Sequence, residues 1–267
     1  MNELVINNII INRFIIHALR IPYFICCCLL ASVSQAQKTI TLNTAFAPPI
    51  SNNTQTGYAD LILTEAFRRI GYKLETIHIP AERALINANK GIDDGDLLRI
   101  AGLQKKYPNL IQVPEKIINQ DFILFTKNHR GFKVNGWESV KYHSVGIITG
   151  WKILEKKFSQ FGNQIEIIKS ENADQLFTLL EKDRVDFICY THWSGLELLR
   201  KKGLKNITAL NAPLASPDFF TYLNKKHSAI AIELSAAIKE MKVDGSIQKK
   251  YDKIFNPLIS PIRNKKN

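Results

Sequence analysis

Cysteine is nearly missing from this sequence: the 267 residues include only four. Three of them are consecutive, Cys26 to Cys28, inside the apolar run from Ile21 to Val33. If that run is removed on export, Cys189 remains alone and no disulfide can form within the chain. A chain of this length buries enough surface to fold without disulfides, so an oxidising compartment is still compatible with it.

A hydrophobic run long enough to cross a membrane is also missing, because a spanning helix needs roughly 20 apolar residues. Arg13 and Arg20 precede the apolar run, and Ser34-Gln35-Ala36 follows it with small residues. This order is typical of a secretory leader. We therefore predict that residues 1–36 are a signal peptide cleaved near Ala36 and that the protein is periplasmic. A lipid anchor on Cys26 to Cys28 is the less favoured alternative, because no leucine stands three residues before Cys26.

The usual signatures of catalysis and of nucleic-acid binding are missing too. The net charge is +12, but the lysines occur as scattered pairs, without the basic stripe interleaved with aromatics that binds nucleic acid. No glycine-rich phosphate loop is present, and the six histidines show no metal-ligand spacing. "CYTHWSG" lacks the glycine that a nucleophile elbow needs before its serine. We predict no enzyme, no metal and no cofactor.

What the sequence does contain, from Lys38 onward, is a repeated alternation of strands and helices with short connections, which predicts an α/β fold. A first set begins with "TITLNTAF" and "GYADLILTEAFRRIG", and a second set begins near Ser144 with "SVGII". The segment "QDFILFTKN" joins the two sets, and "DFFTYLN" returns before two closing helices, Ala229 to Val243 and Ile247 to Phe255.

This order of segments resembles the bacterial extracellular solute-binding proteins, in the branch that serves polar-amino-acid ABC importers. The resemblance lies in "GYADLILTEAFRRIGY", "VGIITGWKILEKK", "RVDFICYTHWSG" and the tail "LNKKHSAIAIELSAAIKEMKVDGSIQKKYDKIF". It implies a type II-like two-lobed periplasmic-binding-protein fold with two hinge crossings. Lobe 1 is then residues 38–127 plus 218–267 and lobe 2 is residues 128–217, with "DFILFTK" and "DFFTYLN" as the hinge.

Three charged residues in "PAERALINANKGIDDGDLLRI" are candidates for the rim of a ligand cleft. Arg83 falls in the first turn of a helix, where a cation near the positive end of the helix dipole is unfavourable without an anion nearby. Asp96 and Arg99 fall in the short strand that follows. We expect all three to face a ligand; the alternative is an Arg–Asp pair that only ties the helix to the strand.

The sequence departs from the resembled family at two anchors. Relatives carry an arginine in a Thr-Pro-Glu-Arg-like segment that clamps a ligand carboxylate, whereas "GLQKKYPNLIQVPEKI" has no arginine. Arg99 is the nearest substitute. Thr191 stands about where relatives place an aspartate for the ligand ammonium group. We therefore count Thr191 among the site residues and leave open whether the ligand is a standard amino acid.

Four further candidates follow the first strand of each predicted set. Phe46 in "AFAPPI" is at the position where relatives place an aromatic side chain over the ligand, although a place in the lobe core is equally compatible. Thr149, Gly150 and Trp151 form a strand-to-helix turn whose backbone N–H groups would receive a carboxylate, with Trp151 as an aromatic wall.

The resemblance thus implies a monomeric binding protein that captures a small polar solute for a membrane ABC permease. Two alternatives remain at this point. One is a sensory or other non-transport binding protein of the same fold, and the other is a dehydratase built on the same scaffold.

Overall fold

A computed structural model describes residues 37–263 of the chain, with side chains up to residue 258. The predicted signal peptide, residues 1–36, lies outside the described residues. No helix within the described part is long and apolar enough to span a bilayer.

The first sheet has five strands in the order β2-β1-β3-β10-β4. β1 pairs in parallel with β2 and β3, while β10 runs antiparallel to β3 and β4. The strand bounds are β1 Lys38–Thr44, β2 Tyr72–His78, β3 Gly95–Ile100, β4 Leu110–Asn119 and β10 Asp218–Asn224.

Four helices belong to this sheet and form lobe 1 with it: α1 Tyr58–Arg69, α2 Ala81–Lys90, α6 Ser228–Val243 and α7 Ser246–Arg263. The apolar residues of α1 recur at helical spacing, so that one face of the helix is buried. The buried residues include Ile62, Leu63, Ala66 and Phe67. These buried residues form the apolar face of α1.

The second sheet repeats the pattern of the first, with the order β7-β6-β8-β5-β9. β6 is parallel to β7 and β8, and β5 is antiparallel to β8 and β9. The bounds are β5 Phe122–Thr126, β6 Ser144–Ile148, β7 Glu166–Ser170, β8 Phe187–Thr191 and β9 Thr208–Ala209. Helices α3 Lys152–Phe158, α4 Ala173–Glu181 and α5 His192–Lys202 complete lobe 2. The predicted two-lobed α/β fold is confirmed.

The chain crosses between the lobes at residues 120–121 and again before β10. The two crossings are neighbours, since the Gln120 N–H donates to the Pro217 carbonyl at 3.2 Å and the Phe122 N–H to the Ala215 carbonyl at 2.8 Å. The predicted hinge segments need correction. "DFILFTK" is mostly β5, whose buried residues pair with β8 in the second sheet, and "DFFTYLN" is β10 of the first. Residues 122–126, assigned to lobe 1 from the sequence, therefore belong to the second sheet.

Helix α5 packs so closely on the second sheet that one glycine is required. A Cβ on Gly195 would lie 2.1 Å from Cζ of Phe125. We predict that Gly195→Ala lowers the free energy of unfolding by about 1–3 kcal/mol, because the Phe125 ring has to move within a packed core. Urea unfolding measures this. Gly131→Ala is the control, because a Cβ there has no neighbour within 4 Å, and it should change stability by less than about 0.5 kcal/mol.

Candidate functional site

The parallel strands of both sheets end at the cleft between the lobes, which is where open α/β sheets bind ligands. Residues at or just after the ends of β1, β2 and β3 in lobe 1 and of β6, β7 and β8 in lobe 2 line two adjoining cavities there. Trp151 belongs to the lining of both cavities. It is therefore a wall between them.

The first cavity, called here the narrow cavity, has a volume of about 30 Å³. Lobe 1 contributes Phe46, Arg99 and Phe219 to it, and lobe 2 contributes Phe122 and Trp151. A space of this size holds one or two water molecules. The narrow cavity would have to widen, by separation of the lobes or movement of its rings, before an amino acid could enter it.

The second cavity, the wide cavity, has a volume of about 320 Å³. This is within the range of small-molecule pockets in proteins. Its wall combines apolar residues with polar and charged groups from both lobes. The polar and aromatic members are Thr44, His78, Trp151, Glu171, Asn172, Asp174 and Tyr190.

Aromatic rings surround Trp151 on three sides. The Tyr190 ring stacks on it with a centroid distance of 5.0 Å and an interplanar angle of 11°. Phe46 is stacked at 6.2 Å, and Phe122 meets it edge-on at 5.3 Å. Such offset and edge contacts are favourable ring geometries. The two lobes thus meet through Phe46 of lobe 1 and Trp151 of lobe 2, and the predicted positions of both residues at the cleft fit this geometry.

Arg99 lines the narrow cavity and is also held by lobe 1. Its Nε donates to Oδ2 of Asp96 at 2.6 Å, and its Nη2 donates to the Ala81 carbonyl at 2.8 Å. No hydrogen bond joins Nη1 to another described residue. Arg99 therefore ties β3 to α2 and also lines the cleft, and its contact with a ligand stays a prediction.

Asp96 has no exposed surface, so it cannot touch a ligand in this arrangement. Burial raises the pKa of its carboxyl to about 6, although the neighbouring Arg99 opposes that shift. The prediction of a direct ligand contact at Asp96 is corrected on this ground: Asp96 orients the Arg99 guanidinium.

Three other predicted contacts also lie away from the cavities. Arg83 is exposed on α2 and lines neither cavity. Thr149 uses its backbone N–H for the Ser170 carbonyl at 2.9 Å. Thr191 is fully buried at the start of α5, and its Oγ1 has no hydrogen-bond partner among the described residues. The sequence placed Arg83 in the first turn of a helix and Thr149 and Thr191 near strand ends, as the structure has them, but it could not tell which side of the chain faces the cleft.

The turn at Gly150 does not present a free backbone N–H to the cleft. The Gly150 N–H donates to Oε1 of Glu155 at 3.0 Å, so a carboxylate of the same lobe occupies the predicted anion position. Lys152 bonds to Glu155 at 2.9 Å and also to Glu82 of lobe 1. A Cβ on Gly150 would lie 2.5 Å from the Glu82 backbone nitrogen. Gly150 is therefore a point of close approach between the lobes.

His78 was missed from the sequence. Its Nε2 lies 3.0 Å from Oγ of Ser51, whose hydroxyl donates to the buried Asp60 at 2.7 Å. Burial lowers the pKa of His78, with Asp60 opposing, so the ring is neutral near pH 7. Because the Ser51 proton is held by a carboxylate, the arrangement orients His78 at the wide cavity and does not resemble a nucleophile with its base.

No family model matches the sequence. The chain is similar to an uncharacterized protein of Shewanella oneidensis, with 27% identity over 231 residues that cover 82% of this chain and 83% of that protein.

Solved structures show the same fold at low sequence identity. The P235GK mutant of ArgBP from T. maritima has a TM-score of 0.71 and 14% identity, covering 83% of this chain and 97% of its own. The substrate-binding protein of an amino acid ABC transporter has a TM-score of 0.68 and 16% identity, covering 82% and 99%. A histidine kinase sensor domain with similarity to periplasmic binding proteins has a TM-score of 0.72 and 14% identity, covering 82% and 97%.

Proposed function

From the premise that this chain has the fold of periplasmic solute-binding proteins, we propose that it captures a small polar solute, an amino acid or a related carboxylate, in the cleft between its lobes. It does so in the periplasm and delivers the solute to a membrane ABC importer. The observation that carries the proposal is the cleft itself: residues from both lobes line adjoining cavities, and Trp151 is a wall of each. The solved neighbours named above, a substrate-binding protein of an amino acid ABC transporter among them, support it.

The two cavities divide the binding groups by charge. Arg99 on the narrow side offers Nη1 to a carboxylate, a geometry that suits the planar guanidinium. Glu171 on the wide side is a carboxylate that suits an ammonium or guanidinium group. Asp174 is a second one, although it already pairs with Lys202 at 2.5 Å, and the stacked rings of Trp151 and Tyr190 line the same cavity. A zwitterionic or cationic amino acid matches this distribution better than a simple anion does.

Thermal-shift screening against amino acids, small carboxylates, amines and short peptides tests the proposal. A ligand that binds only the folded protein raises its apparent stability, by about 2.7 kcal/mol at a hundred times its dissociation constant. We expect an amino acid or related carboxylate to raise the midpoint and to bind with one-to-one stoichiometry in calorimetry. Stabilisation by none of these compounds, or turnover of a bound compound, would contradict the proposal.

Tryptophan fluorescence provides a local test of the same cleft. Of the three tryptophans, Trp151 lines both cavities, whereas Trp137 packs on Phe158 within lobe 2. We predict that the ligand found by screening changes the fluorescence of the wild type and of Trp137→Phe, and that Trp151→Phe loses most of this change. A ligand response that persists unchanged in Trp151→Phe would contradict a ligand contact at Trp151.

A sensory role is the second candidate function, favoured by the similarity to the histidine kinase sensor domain. Both roles need the same cleft and differ in the membrane partner. Crosslinking of the ligand-bound protein in intact cells, followed by identification of the captured membrane protein, distinguishes them. Capture of a permease would support the importer role. Capture of a kinase or receptor would support the sensory role instead.

A further inference from the structure

Two histidines and an aspartate meet at the edge of lobe 2 that lies opposite the cleft. His129 follows β5, His143 directly precedes β6, and Asp186 directly precedes β8. One end of β5 and the starts of β6 and β8 lie at the same sheet edge, because β5 is antiparallel to β8 while β6 and β8 are parallel. Residues from three distant segments are thereby brought together.

The distances between their side chains fit a shared metal ion. Nε2 of His129 lies 3.4 Å from Oδ1 of Asp186, and Nδ1 of His143 lies 3.6 Å from Oδ2. One ligand atom from each of the three residues lies within 4.8 Å of the others. Two ligands that are each about 2.1 Å from a tetrahedral ion lie about 3.4 Å apart. Only a small movement of the His143 imidazole is needed to bring the three ligand atoms to these distances.

The surroundings hold the ligands in place. Oδ2 of Asp186 accepts hydrogen bonds from the backbone N–H and the hydroxyl of Ser144, both at 2.9 Å. The Phe187 ring packs on both histidines, with centroid distances of 5.1 Å to each. A hydrogen-bonded carboxylate and an apolar wall are the outer-shell features that orient metal ligands. All three ligand residues are half-buried, which leaves a side open to water or to a further ligand.

We propose that His129, His143 and Asp186 form a binding site for a divalent transition-metal ion of the zinc class. Imidazole nitrogens with one carboxylate oxygen suit zinc, nickel and copper and do not suit magnesium or calcium, which take oxygen ligands. A bound ion fastens together the segments before β6, before β8 and after β5. It therefore stabilises lobe 2 from the side away from the solute cleft.

Zinc titration of the full chain tests this proposal, with Cys26, Cys27 and Cys28 replaced by serine so that these thiols cannot bind the metal. We expect one saturable zinc ion per chain and a thermal midpoint that rises with zinc. His129→Gln and His143→Gln should each weaken zinc binding at least about 10-fold. Ser144→Ala removes one of the two hydrogen bonds that orient the Asp186 carboxylate and should weaken zinc binding by about 10-fold.

His227→Gln is the matched control. His227 also pairs with an aspartate, Asp94 at 2.7 Å, but the other partner of that aspartate is Lys226 and not a second histidine. It should leave zinc affinity unchanged. Equal zinc affinity in the wild type, His129→Gln and His143→Gln would overturn the proposal and leave the cluster as histidine–aspartate ion pairs. Since solute binding uses the opposite edge, His129→Gln should keep the wild-type affinity for the screened solute, which separates a failure here from a failure of the proposed function.

Discussion

Replacement of Gly150 by alanine should weaken solute binding by roughly 5- to 150-fold while leaving each lobe folded. The added Cβ would lie 2.5 Å from the Glu82 nitrogen and 2.9 Å from the Ala81 carbonyl carbon, and both of these atoms belong to the opposite lobe. Such a clash costs about 1–3 kcal/mol in a packed contact. The cost falls on the closed form, because the clashing atoms separate when the lobes open. Calorimetric titration of the variant with the screened solute measures the loss.

The backbone at Gly150 has a φ of +85°, which alanine also disfavours by about 1–2 kcal/mol. Gly71→Ala isolates this effect, because Gly71 has a φ of +83° and a Cβ there has no neighbour within 4 Å. The control should lose stability to a similar extent and keep its solute affinity. Equal affinities in Gly150→Ala and the wild type would show that closure at this point is not needed for binding.

Arg99→Ala should reduce both stability and solute binding. The change leaves the buried Asp96 without its partner, which costs about 3–5 kcal/mol when the carboxylate stays ionised. Loss of a buried charged contact to the solute should cost on the order of 2–5 kcal/mol of binding free energy. Arg99→Lys keeps the charge but lacks the planar fork, so it should retain more stability than Arg99→Ala and still bind the solute weakly. Chemical unfolding and calorimetry measure the two effects separately.

The stability loss in Arg99→Ala should depend on pH in a definite direction. Burial already raises the pKa of Asp96 to about 6 beside Arg99, and removal of the cation raises it further. A carboxyl whose pKa is higher in the folded state binds more protons there than in the unfolded chain, so unfolding becomes easier as pH rises. The difference in the free energy of unfolding between the wild type and Arg99→Ala should therefore be larger at pH 8 than at pH 5.

Arg83→Ala is the control for charge, since Arg83 is exposed on the adjacent helix. It should change neither stability nor binding by more than about 0.5 kcal/mol. Unchanged solute affinity in Arg99→Ala, with the protein folded, would mean that Arg99 serves only as the tie between β3 and α2. The ligand anchor would then lie on the wide side of Trp151.

The fold followed from the sequence because its signals are local. The spacing of apolar residues in α1 and the strand after Gly91 can be predicted from neighbouring residues alone. Short connections between alternating strands and helices then leave few possible topologies. The hinge was misplaced for the same reason. Nothing local to "DFILFTK" distinguishes a crossing from a strand, and only its pairing with β8 decides the matter.

The site was harder to predict because its parts come from separate strand ends. Phe46, Arg99 and Trp151, which were predicted from the sequence, line the narrow cavity. His78 and Tyr190, which line the wide cavity, were not predicted, since each looks like an ordinary strand residue until the lobes face each other. The Gly150 N–H is occupied by the side chain of Glu155, which lies five residues further along the chain on a short helix. No sequence pattern predicts that contact. No metal-ligand motif in the sequence predicts the cluster of His129, His143 and Asp186, because the three residues come from three distant segments.

The central claim is that a solute binds between the lobes and draws them together by a hinge motion. Small-angle scattering with and without the screened solute tests it most directly, with saturation verified by calorimetry. The account predicts a smaller radius of gyration for the wild type on binding, and the same change for Gly150→Ala only at a solute concentration roughly 5- to 150-fold higher. A saturated wild-type protein whose radius of gyration stays the same would contradict it.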